Sequence, residues 1–265
     1  MSGFKTIINN GMEYSAVSAL GTLNAFTTRL GGVSTGALES LNLGENRGDE
    51  ESNVRENYRR LSAALGIDGG RLVFTRQVHG TEILPVTSDD CRELYSKISY
   101  EADGLVTTEK NLPLIIFTAD CIPILLHDPI NGVIAAVHAG WRGTVADIAG
   151  KAIDSMVKLG ASPEYIRGAI GPGIGLCCYE TGPEVAEAAY GVLGRDAENY
   201  IRAIEGDDKF FVDLKGINAA LLIRCGLKPE NIFISDDCTY CQSQRYWSHR
   251  KTGGDRGSQG AIIQM

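Results

Sequence analysis

Short, uniformly apolar runs alternate along this chain with longer stretches whose apolar residues recur every three or four positions. Runs rich in Val, Ile, Leu and Phe, closed by Gly, Pro, Asn or Asp, read as buried strands. Strands are expected at Leu23–Arg29, Leu72–Val78, Glu82–Val86, Leu114–Phe117, Ile122–Leu126, Val133–Val137, Tyr165–Ile170, Phe210–Val212, Asn231–Ser235 and Gly260–Met265. Helical spacing appears in Glu50–Leu65, with Val54, Leu61 and Leu65 on one side and Gly66 as the stop. It recurs after Gly143, where Val145, Ile148, Ala152, Met156 and Leu159 share a face ending at Gly160. Two more helices are expected over Pro183–Tyr190 and after a capping Asp213, the latter carrying Leu214, Ile217 and Leu221. Strands interleaved with helices, with no repeat and no Pro/Ser-rich linker, predict one α/β domain over residues 1–265. The polar stretch Thr87–Glu101 is the expected mobile loop.

The most informative runs are the three around Thr118-Ala-Asp-Cys121 and Val137-His-Ala-Gly140. They place Asp120, Cys121 and His138 at the ends of core strands, where a rigid scaffold presents reactive groups. His79 falls at another predicted strand end. Two imidazoles and a thiolate with a fourth position open match a catalytic zinc site, in which water would reach a pKa of about 7. The same residues also fit a buried thiol with two hydrogen-bonded histidines, and Cys121 with His138 fits a Cys–His nucleophile pair. Residue types alone do not choose among these.

Composition narrows the function classes. An apolar content of 43% and a charged content of 22% suit a globular protein, and a net charge of −8 argues against a general nucleic-acid or anionic-membrane binder. No apolar run reaches membrane-spanning length and no export signal is visible at Met1–Asn10, so a cytoplasmic protein is expected. The seven cysteines are odd in number and irregularly spaced, which suits reduced thiols or metal ligands better than a disulfide frame. Cys238-x-x-Cys241 is half of a structural zinc pattern, but no second close pair of that form completes it, so structural thiols are the favoured reading there. Gly31-Gly32 beside Arg29 could form an anion-binding nest, and Arg142 at a helix start could favour an anion; a plain turn and a surface ion pair are the simpler alternatives. Gly171-Pro-Gly173-Ile-Gly175 lacks the third glycine of a dinucleotide fingerprint in either frame.

The ordered set Thr28-Arg-Leu-Gly-Gly32, Gln77-Val-His-Gly80, Ala102-Asp-Gly104, Thr118-Ala-Asp-Cys121, Val137-His-Ala-Gly-Trp-Arg-Gly-Thr144, Gly171-Pro-x-Ile-Gly175 and Cys238-Thr-Tyr-Cys241 resembles the YfiH family. That family is also described as the laccase-domain, polyphenol-oxidase, purine nucleoside phosphorylase or peptidoglycan editing factor family. The resemblance covers nearly the whole chain. It implies layered mixed sheets flanked by helices, and zinc bound by His79, Cys121 and His138, with Asp120 beside them as a further catalytic candidate. It also implies phosphorolysis of adenosine, inosine, guanosine and methylthioadenosine, and hydrolytic deamination of adenosine, by a monomer or small homo-oligomer whose partners are nucleoside and phosphate. Arg29, Asn42 and Arg142 become the phosphate candidates in that light. The alternatives carried by the resemblance are a copper-dependent polyphenol oxidase and a Cys–His hydrolase of cell-wall editing. Four histidines in the whole chain are too few for a multicopper cluster, although a single copper could take the His/His/Cys set.

Overall fold

Every predicted apolar run but one becomes a ladder strand, and side-chain parity decides which layer each residue joins. The computed structural model describes residues 3–98 and 100–265, leaving one position of the Thr87–Glu101 loop outside the described residues. The first half runs β1 (Phe4–Asn9), β2 (Met12–Val17), β3 (Leu23–Thr27), α1 (Glu51–Leu65), β4 (Ile83–Pro85), β5 (Gly104–Thr107), β6 (Leu114–Thr118), β7 (Ile122–Asp128) and β8 (Val133–Ala139). The second runs α2 (Trp141–Val145), α3 (Ile148–Lys158), β9 (Arg167–Ile170), β10 (Glu180–Thr181), α4 (Pro183–Leu193), β11 (Ile201–Ala203), β12 (Phe210–Val212), α5 (Leu214–Arg224), β13 (Ile232–Ile234), α6 (His249–Thr252) and β14 (Gln259–Gln264).

An antiparallel sheet β1-β2-β3-β14-β6 stacks on a mixed sheet β13-β9-β7-β8-β5-β4, and β10-β12-β11 forms a small third sheet. Leu125 of β7, with Ile134 and Ala136 of β8, faces Leu114, Ile116 and Ile263 of the antiparallel sheet. The alternate residues Ile124, Leu126, Ala135 and Val137 face α3 and α5. The outer face of the antiparallel sheet packs Ile115 and Ile262 against Val54 and Leu61 of α1. The result is a helix–sheet–sheet–helix stack in which β7 and β8 are buried on both faces, as their unbroken apolar composition requires. Each of the buried Val, Leu and Ile side chains among them contributes about 1.5–3 kcal/mol of transfer free energy. Among the described residues no helix is long and apolar enough to cross a membrane.

Three local differences from the pattern have clear causes. Leu72–Val78 is extended but forms no ladder strand, because it passes from one sheet to the other. Val73 bonds with Pro113 and Ile115 beside β6, whereas Arg76 bonds with Tyr100 and Ala102 ahead of β5. The helix expected after Gly143 is divided: Asp147 takes a left-handed φ of 58° and its carboxylate accepts the Gly150 N–H at 2.9 Å, capping α3 afresh. The β1–β2 hairpin at the N-terminal end turns on Asn10-Gly11, both at positive φ, the residue pair a two-residue hairpin favours.

Candidate active site

The register of the mixed sheet brings the site together. Pro123 of β7 lies opposite His138 of β8, so Cys121, just before β7, is a diagonal neighbour of His138. His138 shares the face of Ile134 and Ala136, at the open end between the two sheets. Gly104 of β5 pairs with Val137, which sets Asp103 beside His138 on the other flank. Asp103 then collects His79. Its carboxylate accepts the backbone N–H groups of Val78 (3.1 Å), His79 (3.0 Å) and Gly80 (2.7 Å), and holds His79 at a left-handed φ of 59°. The same carboxylate takes His138 Nδ1 at 2.8 Å. That bond fixes the tautomer and leaves Nε2 of His138 for a ligand.

The ligand atoms of His79, Cys121 and His138 all lie within 4.8 Å of one another, with Cys121 Sγ 3.8 Å from His79 Nε2 and the two rings edge to face. Gly140 leaves the space for them: a Cβ there would approach His79 Cδ2 to 2.9 Å and Cys121 Sγ to 3.4 Å. Burial alone would raise the Cys121 thiol, but the charge of His138 and hydrogen bonds to both imidazoles hold it at about 6. Burial likewise opposes charge on His138, while Cys121 and Asp103 raise it to about 9. Two nitrogens and a thiolate-forming sulfur converging from three directions, with Asp103 orienting one ring, are a fitting donor set for one metal ion. His127 is spent on the Leu20 carbonyl at 2.8 Å, and His249 belongs to neither metal-sized cluster found among the described residues.

The cluster opens into a cleft of about 340 Å³, within the range of small-molecule sites of about 300–1,000 Å³. Phe74 and Phe117, edge to face at 5.4 Å, form an apolar wall, braced by Gln77, which both donates to and accepts from the Phe117 backbone. Arg47 and Arg256 also line the cleft, and among the described residues neither guanidinium is in an ion pair. Burial pushes Arg256 down to about 10, with the like charge of Arg47 adding to the effect. Two close, partly buried cations lacking a carboxylate partner make a site for an anion.

The residues first considered for phosphate are elsewhere. Arg29 donates to the carbonyls of Glu39 and Ser243 and stacks on Trp247 at 3.8 Å, outside the cleft. Nearby Gly32 allows close packing: a Cβ there would collide with the Ser40 carbonyl. Arg142 stacks on Trp141 at the start of α2, whose five residues give too little aligned dipole to hold an anion. Asn42 is fully buried; its Oδ1 accepts Gly44 N at 2.9 Å and Ser258 N at 3.0 Å, so it ties the Arg47 loop to the Arg256 loop. Asp120, the other catalytic candidate, lies next to Cys121 outside the cleft lining. Thr239 Oγ1 and the Arg250 N–H occupy its two carboxylate oxygens at 2.6 and 2.7 Å, and its φ is 87°. Both oxygens are thus engaged within the fold directly beside Cys121, and the left-handed backbone costs about 1–3 kcal/mol that those bonds offset.

A His/His/Cys cluster opening on a cationic cleft between two stacked sheets defines a candidate metalloenzyme. Residues 23–265 match the family model described as multi-copper polyphenol oxidoreductase laccase, and the chain belongs to this laccase-domain family, which includes the YfiH proteins. It is 38% identical over 253 residues to a purine nucleoside phosphorylase of Deinococcus radiodurans, covering 96% of this chain and 93% of that one. It is 32% identical to adenosine deaminase RL5 of an unknown prokaryotic organism, covering 89% and 91%. The crystal structure of YlmD from Geobacillus stearothermophilus superposes with a TM-score of 0.91 at 32% identity, covering 99% of this chain and 98% of that one. The layered α/β fold is therefore that of its relatives.

Proposed function

We propose that this protein is a zinc-dependent purine nucleoside phosphorylase acting on adenosine, inosine, guanosine and methylthioadenosine, with a second activity as adenosine deaminase. The observation that carries it is the pairing, in one cleft, of the His79/Cys121/His138 donor set with the unpaired guanidiniums of Arg47 and Arg256. A zinc ion held by His79 Nε2, Cys121 Sγ and His138 Nε2 would supply Lewis acidity and bring water into the ionised range near pH 7. Phe117, half-buried in the cleft wall and backed edge-on by Phe74, offers an apolar surface for a purine. Arg47 and Arg256, rather than Arg29 or Arg142, hold phosphate, since forked guanidinium donors match its oxygens. Asp103 keeps the His138 proton on Nδ1, away from the reacting face. A single ion rather than a copper cluster suits the donors present, because His127 bonds the Leu20 carbonyl and His249 lies in neither metal-sized cluster among the described residues.

Product analysis with adenosine tests this reading. Adenine and ribose 1-phosphate should form only with phosphate present, and inosine with or without it. In Arg47→Ala the KM for phosphate should rise about 10–100-fold, the loss of a charge-assisted contact of about 1.5–3 kcal/mol. An unchanged phosphate KM in both Arg47→Ala and Arg256→Ala would place the anion elsewhere, and no turnover of any nucleoside would remove the purine reading.

A further inference from the structure

Behind the cleft lies a second group of convergent thiols. Cys177 and Cys178 occupy the turn after β9, and Cys238 and Cys241 the segment after β13. The four sulfurs lie within 4.8 Å of one another, with Cys241 Sγ 3.6 Å from that of Cys177 and 3.3 Å from that of Cys178. Cys238-x-x-Cys241 thus has its missing half: an adjacent pair about 60 residues earlier, brought alongside by the parallel pairing of β9 with β13. The earlier expectation of plain structural thiols at Cys238 and Cys241 did not foresee this convergence.

We propose that Cys177, Cys178, Cys238 and Cys241 bind a second metal ion, a structural zinc in an all-thiolate site separate from the cleft. Zinc–sulfur bonds of about 2.3 Å place the sulfurs of a tetrahedral site about 3.8 Å apart; two separations here are 3.3 and 3.6 Å and all lie within 4.8 Å, so small side-chain shifts close the shell. Gly175 completes the cradle. Its N–H donates to Cys238 Sγ at 3.2 Å, and a Cβ there would come within 3.3 Å of both Cys177 Sγ and Cys238 Cβ. Four thiolates around a dication leave excess negative charge, and a buried cation sits beneath them. Lys215 Nζ donates to the carbonyls of Ser235 (2.8 Å) and Asp237 (2.6 Å), directly ahead of Cys238. This ammonium has no carboxylate partner among the described residues, and a zinc–thiolate cluster supplies the counter-charge.

The ion would clasp the two segments that fix Asp120. Thr239, next to Cys238, donates its hydroxyl to Asp120 and its N–H to the Gly173 carbonyl at 3.2 Å. Ile174 N–H reaches the Asp120 carbonyl at 2.8 Å. A metal joining the turn after residue 175 to residues 238–241 therefore braces the backbone beside Cys121.

The test reads metal and coordination, not turnover, so it stands or falls apart from the nucleoside reading. Full-length protein purified without added metal should hold two zinc ions per chain, and Cys121→Ser should hold one. X-ray absorption at the zinc edge of Cys121→Ser should show a shell of four sulfurs. The cobalt-loaded Cys121→Ser protein should carry an intense thiolate-to-metal band that Cys121→Ser/Cys241→Ser lacks. If the double variant does not fold, the sulfur shell of the single variant still decides. A metal-free Cys121→Ser protein, nitrogen or oxygen ligands around its zinc, an iron–sulfur chromophore, or an intact mass showing a disulfide among these cysteines would overturn the proposal.

Discussion

His138→Ala is expected to abolish phosphorolysis and deamination together. In the proposed site the ring would contribute one of three ligands, and its loss would leave two from separate segments, His79 and Cys121, too few to hold an ion in an open site. Charge stabilisation by the metal amounts to several kcal/mol; losing about 4 kcal/mol slows either reaction about a thousandfold. The variant should also contain one metal ion fewer per chain than the native protein, which separates ligand loss from a subtler distortion. Deamination lost with phosphorolysis intact would mean that the two chemistries use different sites.

The second large effect falls on a residue that touches no substrate. Asp103→Asn keeps the size of the side chain but leaves only one acceptor oxygen where two serve four donors: His138 Nδ1 and the N–H groups of Val78, His79 and Gly80. The new NH₂ must face either His138 Nδ1 and the His79 N–H or the N–H groups of Val78 and Gly80, so part of the network around this buried side chain is unsatisfied whichever way it turns. At about 1–3 kcal/mol for each stranded donor, the thermal midpoint should fall by several degrees or more. Metal affinity, read by competition with a chelator, should fall about 10–100-fold because His138 loses its orienting partner. Asp103 is itself held below the ordinary carboxylate range: burial opposes its charge, but the His138 and backbone N–H bonds outweigh it. Unchanged stability and unchanged metal affinity would show that this carboxylate does not organise the site.

What could be read from the sequence follows physical lines. Cys121 and His138 were visible because a thiol and an imidazole interrupt runs otherwise fit only for the core, and strand ends fix their direction. Arg47 and Arg256 were not, since a charged residue in a polar loop is unremarkable until Asn42 draws the two loops together. Arg29 shows the converse: glycines beside an arginine suggest an anion nest, whereas here Gly31 and Gly32 let backbones approach and Arg29 donates to carbonyls. Asp103 lay in a short Ala-Asp-Gly stretch with no periodicity to mark it, and its importance arises only from bonds reaching 23 to 35 residues away. The four-cysteine cluster likewise depends on a parallel strand pairing that no local spacing encodes.

A single metal-held site serving both reactions is tested most directly by removing and restoring the metal. Protein stripped with a chelator and then reloaded stepwise with zinc should lose and regain adenosine deamination and inosine phosphorolysis along one curve, with hypoxanthine formed only when phosphate is present. Phosphorolysis that persists in the stripped protein, or hypoxanthine released equally well without phosphate, would contradict it.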